Sequence, residues 1–283
     1  MGILYIVATP IGNIGDISTR AIEVLKSVDL ILCEDTRTSS NLLNILNIRN
    51  KLVSYHKFNE LERSREIIKE LKEGKNIALI TDAGSPCISD PGSILVNEAI
   101  NNNIDIYSIP GPSAVITALT LSGLKINNFA FYGFLERKKS SQQKQLEKIN
   151  ANDIETLVFY ESPKRIVDTL KNISEVFKNP YIILLNDLTK KFEKKYYGNA
   201  NKILNDLISN DKYELGEYVI IVSKNKSKLE NEEKLLPESI LINILFKNKC
   251  TMKEAINLAV TNNKDYSKNE YYDASLNLKN FFK

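Results

Sequence analysis

The alternation of short apolar runs with helical patterns constrains the fold of this chain more than any other feature of its sequence. Over the first half, the predicted strands are Ile3–Ala8, Leu30–Cys33, Lys51–Ser54, Ile77–Thr81 and Ile104–Ile109. The predicted helices are Ser18–Lys26, Asp35–Leu46, Asn59–Glu73, a segment opened by Asp90-Pro91 and running to Asn101, and Ser113–Ser122. Because the strands are apolar almost throughout, they indicate a mainly parallel sheet buried on both faces, which is typical of α/β proteins.

A second set of strands and helices is predicted from residue 126 onwards. Its strands are Ala130–Phe134, Thr156–Tyr160, Tyr181–Leu185, Phe192–Tyr197 and Tyr218–Val222. Helices are predicted to begin at Ser162-Pro163 and at Asn199, and a polar, basic stretch covers Glu136–Lys148. The predicted organisation is an N-terminal α/β lobe (1–125), a second lobe with a mixed sheet (126–223), a charged linker (224–236) and a small domain of two or three helices (237–283).

Composition excludes several classes of protein. The chain has 283 residues, of which 43% are hydrophobic and 26% are charged, so disordered and disulfide-scaffold classes do not apply. Three cysteines and one histidine, all far apart, give no zinc-ligand spacing, and we expect no metal. The sequence has no apolar run long enough for a membrane span and starts unlike a signal peptide, so we expect a cytoplasmic protein. A net charge of +3 does not by itself indicate a nucleic-acid-binding protein.

Four loops rich in Gly, Pro, Asp and Ser follow the predicted strands of the first sheet. They are Ala8–Asn13, Cys33–Arg37, Asp82–Gly92 and Pro110–Ala114. Any one of them is explained by turn formation, but ligands of open α/β sheets bind outside the carboxyl ends of the strands. Four such loops at one edge therefore predict a ligand cleft. The sequence contains no G-x-G-x-x-G motif, phosphate-binding loop or G-x-S-x-G elbow that would name its ligand.

Nine segments, in order and with compatible spacing, carry a resemblance to a known family. They are Leu4–Asn13 (LYIVATPIGN), Cys33–Arg37 (CEDTR), Ser54–Glu60 (SYHKFNE), Thr81–Gly92 (TDAGSPCISDPG), Ile109–Ala118 (IPGPSAVITA), Tyr132–Leu135 (YGFL), Phe159–Ser162 (FYES), Leu188–Lys190 (LTK) and Gly216–Val222 (GEYVIIV). The chain resembles the tetrapyrrole methylase superfamily, and within it the bacterial 16S ribosomal RNA (cytidine-2′-O)-methyltransferases. This resemblance implies a two-lobed α/β fold, S-adenosylmethionine as the methyl donor, 16S ribosomal RNA of the small subunit as the partner, and a homodimer.

The resemblance also implies where the donor binds. The Gly84-Ser85-Pro86 loop corresponds to the superfamily's Gly-Asp-Pro cofactor loop. The full set of implied contacts is Pro10, Asp82, Ala83, Gly84, Ser85, Ile88, Ser89, Pro112, Ser113, Ala114, Phe159, Tyr160 and Gly216.

The acceptor side is predicted from chemistry. A ribose hydroxyl is a poor nucleophile until it loses its proton, so a nearby carboxylate or lysine would assist. The candidate catalytic residues are Glu34, Asp35, Glu161 and Lys190, although Asp35 is equally well explained as a helix cap. The candidate RNA contacts are Arg37, His56, Asn59, Arg137, Lys138 and Lys139, for which surface ion pairs, a structural histidine and a solvated face remain alternatives.

Two further functions stay open at this point. A tetrapyrrole or other small-molecule methylase would share the fold, and so would a catalytically silent RNA-binding assembly factor. The second alternative is supported by Asn186-Asp187, where the family usually has Arg-Glu.

Overall fold

The computed structural model describes residues 1–209, 212–224, 236–248, 250–262 and 266–281. For residues 280 and 281 it describes the backbone but not the side chains. The chain divides into two compact units, Met1–Lys224 and Asn225–Lys283. Residues 225–235 of the predicted linker lie outside the described residues. The predicted boundaries between lobes, linker and tail therefore stay predictions.

The first sheet has five parallel strands in the order β3-β2-β4-β1-β5. Its strands are β1 (Ile3–Val7), β2 (Leu30–Cys33), β3 (Leu52–Ser54), β4 (Ile77–Leu79) and β5 (Asp105–Ile109). The helices that alternate with them are α1 (Thr19–Ser27), α2 (Thr36–Ile45), α3 (Glu60–Lys72), α4 (Ser93–Asn101) and α5 (Ala114–Leu121). A short 3-10 helix, Ile14–Asp16, precedes α1.

Both faces of this sheet are buried, as the apolar strands predict. On one face Leu4, Leu32 and Leu79 pack against α3 and α4. On the other, Ile31 and Ala78 pack against α1 and α2. The predicted α/β class with a parallel N-terminal sheet is confirmed.

The second sheet is mixed and has the order β6-β7-β10-β8-β9. Its strands are β6 (Phe129–Phe134), β7 (Thr156–Glu161), β8 (Tyr181–Asn186), β9 (Lys194–Asn199) and β10 (Tyr218–Ser223). Only the β6–β7 pair is parallel in this sheet. The helices that cover one of its faces are α6 (Lys139–Asn150), α7 (Ile166–Phe177) and α8 (Ala200–Ile208).

Helix α5 joins the two lobes through its side chains. It follows β5 of the first sheet, yet Val115, Ala118 and Leu119 are buried against the second sheet, on the face that α6, α7 and α8 do not cover. Val158 of β7 and Val219 of β10 belong to the same cluster. The apolar composition of α5 is explained by this position between the lobes.

The basic stretch, for which no helix is predicted, contains helix α6, whose buried Gln142 donates to the Thr169 hydroxyl at 3.1 Å. Two predicted helix starts are wrong. The segment opened by Asp90-Pro91 becomes helical only at Ser93, after Gly92, and α7 begins at Ile166 rather than at Ser162-Pro163. Asn59 lies at the N-cap position of α3, but its amide oxygen accepts from the His56 backbone N–H at 2.8 Å and makes no capping hydrogen bond.

The C-terminal unit consists, in its described part, of α9 (Pro237–Asn248), α10 (Met252–Asn262) and α11 (Lys268–Phe281). Their buried side chains form one cluster around Leu241, Ala259 and Tyr271. The helical tail is confirmed. Among the described residues of the whole chain, each helix is too short or too polar to cross a membrane.

Candidate active site

The four loops at the carboxyl edge of the first sheet are tied to one another by hydrogen bonds. The backbones of Thr9 and Gly84 exchange two of them, at 2.8 and 3.1 Å. The Ser85 hydroxyl donates to the carbonyl of Pro112 at 3.2 Å. The Asp35 N–H donates to the carboxylate of Asp82 at 3.3 Å. Loops that follow four different strands therefore form one continuous wall.

Gly84 is the residue on which this wall depends. Its φ of +86° lies in the left-handed region, which other residues adopt only at a cost. A Cβ at this position would lie 3.3 Å from the Cγ2 of Ile11, in the neighbouring loop. Glycine thus allows the first and third loops to lie side by side.

A cavity of about 380 Å³ opens between this wall and the second sheet. Its volume lies within the usual range for small-molecule sites. The lining combines apolar, aromatic, hydroxyl and carboxylate groups from both lobes. The lining residues are Ile11, Asp82, Ala83, Ser89, Asp90, Ala114, Phe134, Tyr160, Glu161, Ser162, Pro163, Leu188, Glu217, Tyr218 and Val219.

Carboxylates of the first lobe gather beside this cavity. Removal from water raises the pKa of Asp90, and the nearby Asp82 raises it further. Removal from water also raises the pKa of Glu34, with added repulsion from Asp90 and Asp82. Burial raises the pKa of Tyr160 to about 12, again with a contribution from Asp90. The first lobe therefore presents negative charge to the ring of Tyr160 on the second.

Glu161 lies at the end of β7 but its carboxylate is already occupied. The side chain is fully buried and pairs with Arg165 at 3.4 Å. It accepts hydrogen bonds from the Thr169 hydroxyl and the Ser162 N–H, both at 2.7 Å. This saturated environment is that of a structural carboxylate.

Two facing turns of the second lobe hold Lys190. Its ammonium group contacts the carboxylates of Asp187 and Glu217, each at 2.8 Å. Burial lowers the pKa of Lys190, but the hydrogen bonds to these two carboxylates outweigh it and raise the pKa. The side chain of Asn186 donates to the carbonyl of Leu215 at 3.2 Å. Asn186 and Asp187, the departures from the family pattern, thus join the end of β8 to the turn before β10.

A second cavity, of about 390 Å³, adjoins the first. The two share Ile11, Asp82, Ala83 and Glu217. The rest of its lining is Pro10, Gly12, Ile14, Thr38, Leu42, Ile45 and Lys190. Ile45 is 61% exposed there, so an apolar surface faces solvent next to polar groups.

The implied donor contacts fall into three groups. Five of them line the first cavity: Asp82, Ala83, Ser89, Ala114 and Tyr160. Pro10 lines the second cavity, whereas Gly84, Ser85, Pro112, Ser113 and Gly216 belong to the loops and turns around the two cavities. Ile88 is 57% exposed, and Phe159 is buried on the helix-covered face of the second sheet, opposite Tyr160. The alternation of side chains along β7 separates these two aromatic neighbours.

The candidate RNA contacts lie at two places. Arg37 is exposed and pairs with Asp35 at 2.7 Å, and Asp35 also accepts from the Arg37 N–H as the cap of α2. His56 lies near Glu34, and its Nδ1 is buried with no hydrogen-bond partner among the described residues. On the second lobe, Arg137, Lys138 and Lys139 are exposed at the start of α6.

The residue-level predictions missed several residues of the cavities. Asp90, Glu217 and Leu188 line the first cavity, although none was selected as a contact. Each lies within one of the nine segments that carry the family resemblance. The family segments therefore contained these residues. The chemistry of the residue types did not show which members of a segment line the cavity and which only shape the loops around it.

Comparison with known proteins places this geometry in a family. The tetrapyrrole (corrin/porphyrin) methylases match residues 3–204, and the chain belongs to that family. It is 38% identical over 278 residues to ribosomal RNA small subunit methyltransferase I of Bacillus subtilis (strain 168), covering 97% of this chain and 94% of that protein. The protein of the same name from Buchnera aphidicola subsp. Schizaphis graminum is 41% identical over 257 residues, 90% of this chain and 89% of the relative. A crystal structure of diphthine synthase shares the fold, with a TM-score of 0.61 and 17% identity over 78% of this chain and 90% of that one.

Proposed function

We propose that this protein transfers a methyl group from S-adenosylmethionine to the 2′-hydroxyl of a cytidine in 16S ribosomal RNA of the small subunit. The observation that carries the proposal is the first cavity. It has the size of a small-molecule site and is built from segments that the chain shares with ribosomal RNA small subunit methyltransferases.

The lining of the first cavity fits the donor. The rings of Phe134 and Tyr160 offer faces on which an adenine can stack. The carboxylate of Glu217 can accept hydrogen bonds from ribose hydroxyls, whereas those of Asp82 and Asp90 can face the positively charged sulfur of the donor. The hydroxyls of Ser89 and Ser162 can donate to a carboxylate. The lining therefore combines stacking surfaces, hydrogen-bond acceptors and hydrogen-bond donors of the kinds that this molecule needs.

We place the acceptor nucleotide in the second cavity, because it opens onto the first. When bound, the donor supplies a methyl group on a positively charged sulfur. The acceptor oxygen takes that methyl as its bond to sulfur breaks, and the sulfur is left as a neutral thioether. Holding the two reactants in adjoining cavities provides the alignment that such an in-line displacement needs.

Asp82 is the residue that we propose as the base for the acceptor hydroxyl. It lines both cavities, and removal from water raises its pKa, which makes its carboxylate a stronger proton acceptor. Lys190 and Glu217 also line the second cavity. The raised pKa of Lys190 keeps it protonated, so we assign it to holding Glu217 or a phosphate rather than to removing the proton. Glu34, whose pKa the nearby Asp82 helps to raise, is the second candidate base.

The basic start of α6 supports an RNA contact. A cleft of about 220 Å³ on the second lobe is lined by Arg137, Lys139, Arg165 and Lys171, with Asp168 as its one carboxylate among the described residues. Clustered cations of this kind bind phosphate backbones without reading sequence. A homodimer and a cytoplasmic location remain further parts of the proposal, and analytical ultracentrifugation tests the first of them.

The experiment is transfer of a radiolabelled methyl group from S-adenosylmethionine to small ribosomal subunits from cells that lack the modification. Nuclease digestion then identifies the labelled nucleoside. Label in 2′-O-methylcytidine supports the proposal, and label in a base refutes the ribose mechanism. Asp82→Asn is expected to lower turnover at saturating donor by about 10²–10⁴-fold, the usual contribution of a general base. Asp105→Asn, exposed at the opposite end of the sheet, is the matched control.

A further inference from the structure

The charged groups that line the first cavity all have the same sign. They are Asp82, Asp90, Glu161 and Glu217. Among the described residues, no lysine, arginine or histidine lines this cavity. A small-molecule site with this lining favours an occupant that carries positive charge.

Two of the four carboxylates have a cationic partner that does not itself line this cavity. Glu161 pairs with Arg165 at 3.4 Å, and Glu217 pairs with Lys190 at 2.8 Å. Asp82 and Asp90 take part in no ion pair within the described part of the chain. Asp82 and Asp90 are therefore the lining carboxylates whose charge no described ion pair offsets.

The donor and its product differ in charge at one atom. At neutral pH, S-adenosylmethionine carries a sulfonium, an ammonium and a carboxylate, and so has one net positive charge. S-adenosylhomocysteine has a neutral thioether in place of the sulfonium and no net charge. Their shapes differ only by the methyl group, so a cavity that separates them well must respond to charge.

We propose, on the basis of the function proposed above, that Asp82 and Asp90 make this cavity select its occupant by charge. It binds S-adenosylmethionine more tightly than S-adenosylhomocysteine. Loss of the methyl group then removes the positive charge that these carboxylates hold, which speeds release of the product. The unfavourable interaction between the two aspartates supports the proposal, because a bound cation relieves it.

Isothermal titration calorimetry with three probes tests this proposal. The probes are S-adenosylmethionine, S-adenosylhomocysteine and sinefungin, in which an amine-bearing carbon replaces the sulfonium and restores a positive charge. For the wild-type chain we expect both cationic probes to bind about tenfold more tightly than the thioether, as one charge interaction across a partly hydrated cavity would give.

Asp90→Asn is the decisive variant, because Asp90 lines only the first of the two cavities and asparagine keeps its shape. We expect it to weaken both cationic probes about tenfold and to leave the thioether within about twofold. Asp105→Asn should change none of the three affinities. A thermal melt of the unliganded variant, which should be no lower than that of the wild type, separates a charge effect from misfolding.

Two results would overturn the inference. One is equal binding of the methylated donor and the thioether by the wild type. The other is an equal loss of all three probes in Asp90→Asn. Charge-selective binding without methyl transfer to ribosomal subunits would leave the inference standing and refute the proposed reaction. Binding of none of the probes would refute both.

Discussion

Gly216→Ala tests how the second lobe frames the active site. Gly216 has a φ of +86°, and a Cβ there would lie 2.6 Å from the Cγ of Asp187. The left-handed backbone costs an alanine about 1–2 kcal/mol. Moving the Asp187 carboxylate weakens its pair with Lys190, which is worth about 0.5–1 kcal/mol at this partly exposed position. We therefore expect a loss of about 1.5–3 kcal/mol in unfolding free energy.

Thermal denaturation measures this loss. For a domain of this size, about 2–4 °C is lost per kcal/mol, so the melting temperature should fall by about 3–12 °C. Gly123→Ala is the matched control, because Gly123 also has a positive φ but its Cβ would meet nothing within 4 Å. It should show the backbone cost alone, about 1–2 kcal/mol.

A double-mutant cycle separates the steric part. Asp187→Gly removes the obstructing carboxylate and suits the φ of +53° at that residue. Combined with Gly216→Ala, it should give a coupling of about 1 kcal/mol, because the two changes share one contact. The reasoning fails if Gly216→Ala costs no more than Gly123→Ala, or if the two effects are additive.

Three further outcomes are expected. Arg165→Met leaves the buried carboxylate of Glu161 unpaired and should lower the free energy of unfolding in urea by about 2–4 kcal/mol, somewhat less than for a fully buried pair. Adding Glu161→Gln to this variant should not recover the loss in full. An unchanged urea midpoint in Arg165→Met would contradict the pairing. Hydrogen bonds from Arg37 lower the pKa of Asp35 to about 2, so its stabilising contribution is present above the ordinary aspartate pKa and lost as pH falls through about 2; carbon-13 NMR titration of Arg37→Ala should show the Asp35 midpoint moved upwards. Because the pKa of Asp90 is raised in the folded state, the unliganded wild type loses stability as pH rises through that pKa. Asp90→Asn should therefore melt higher than the wild type at pH 7, and the difference should shrink as pH falls. A lower melting temperature of the variant at pH 7 would contradict this reasoning.

The central strands of both sheets could be predicted because their burial follows from their apolar local composition. β2 and β10 are buried at every position, and their sequences are apolar almost throughout. The clustering of the four loops followed from the same reasoning, because parallel strands bring their carboxyl ends to one edge. What these predictions have in common is that each depends on short stretches of sequence.

Features that depend on tertiary partners were beyond prediction. Helix α6 was not predicted because one of its buried residues is a glutamine rather than an apolar residue. The Gln142 side chain is hydrogen-bonded to Thr169 and Asn172 of α7, which the sequence of α6 does not show. Glu161 was a catalytic candidate because the sequence does not show that its carboxylate pairs with Arg165. The two residues meet only when the turn between β7 and α7 is folded. That Tyr160 lines the cavity and Phe159 does not could be predicted only by knowing which face of the second sheet the helices cover.

The place of helix α5 has a consequence for how this protein unfolds. Val115, Ala118 and Leu119 follow a strand of the first sheet and are covered by the second. Separating the lobes would expose these side chains to water, so each lobe is missing part of its interior without the other. We expect residues 1–224 to melt in a single cooperative transition. A polypeptide ending at residue 125 should be recovered only as an aggregating or partly folded species.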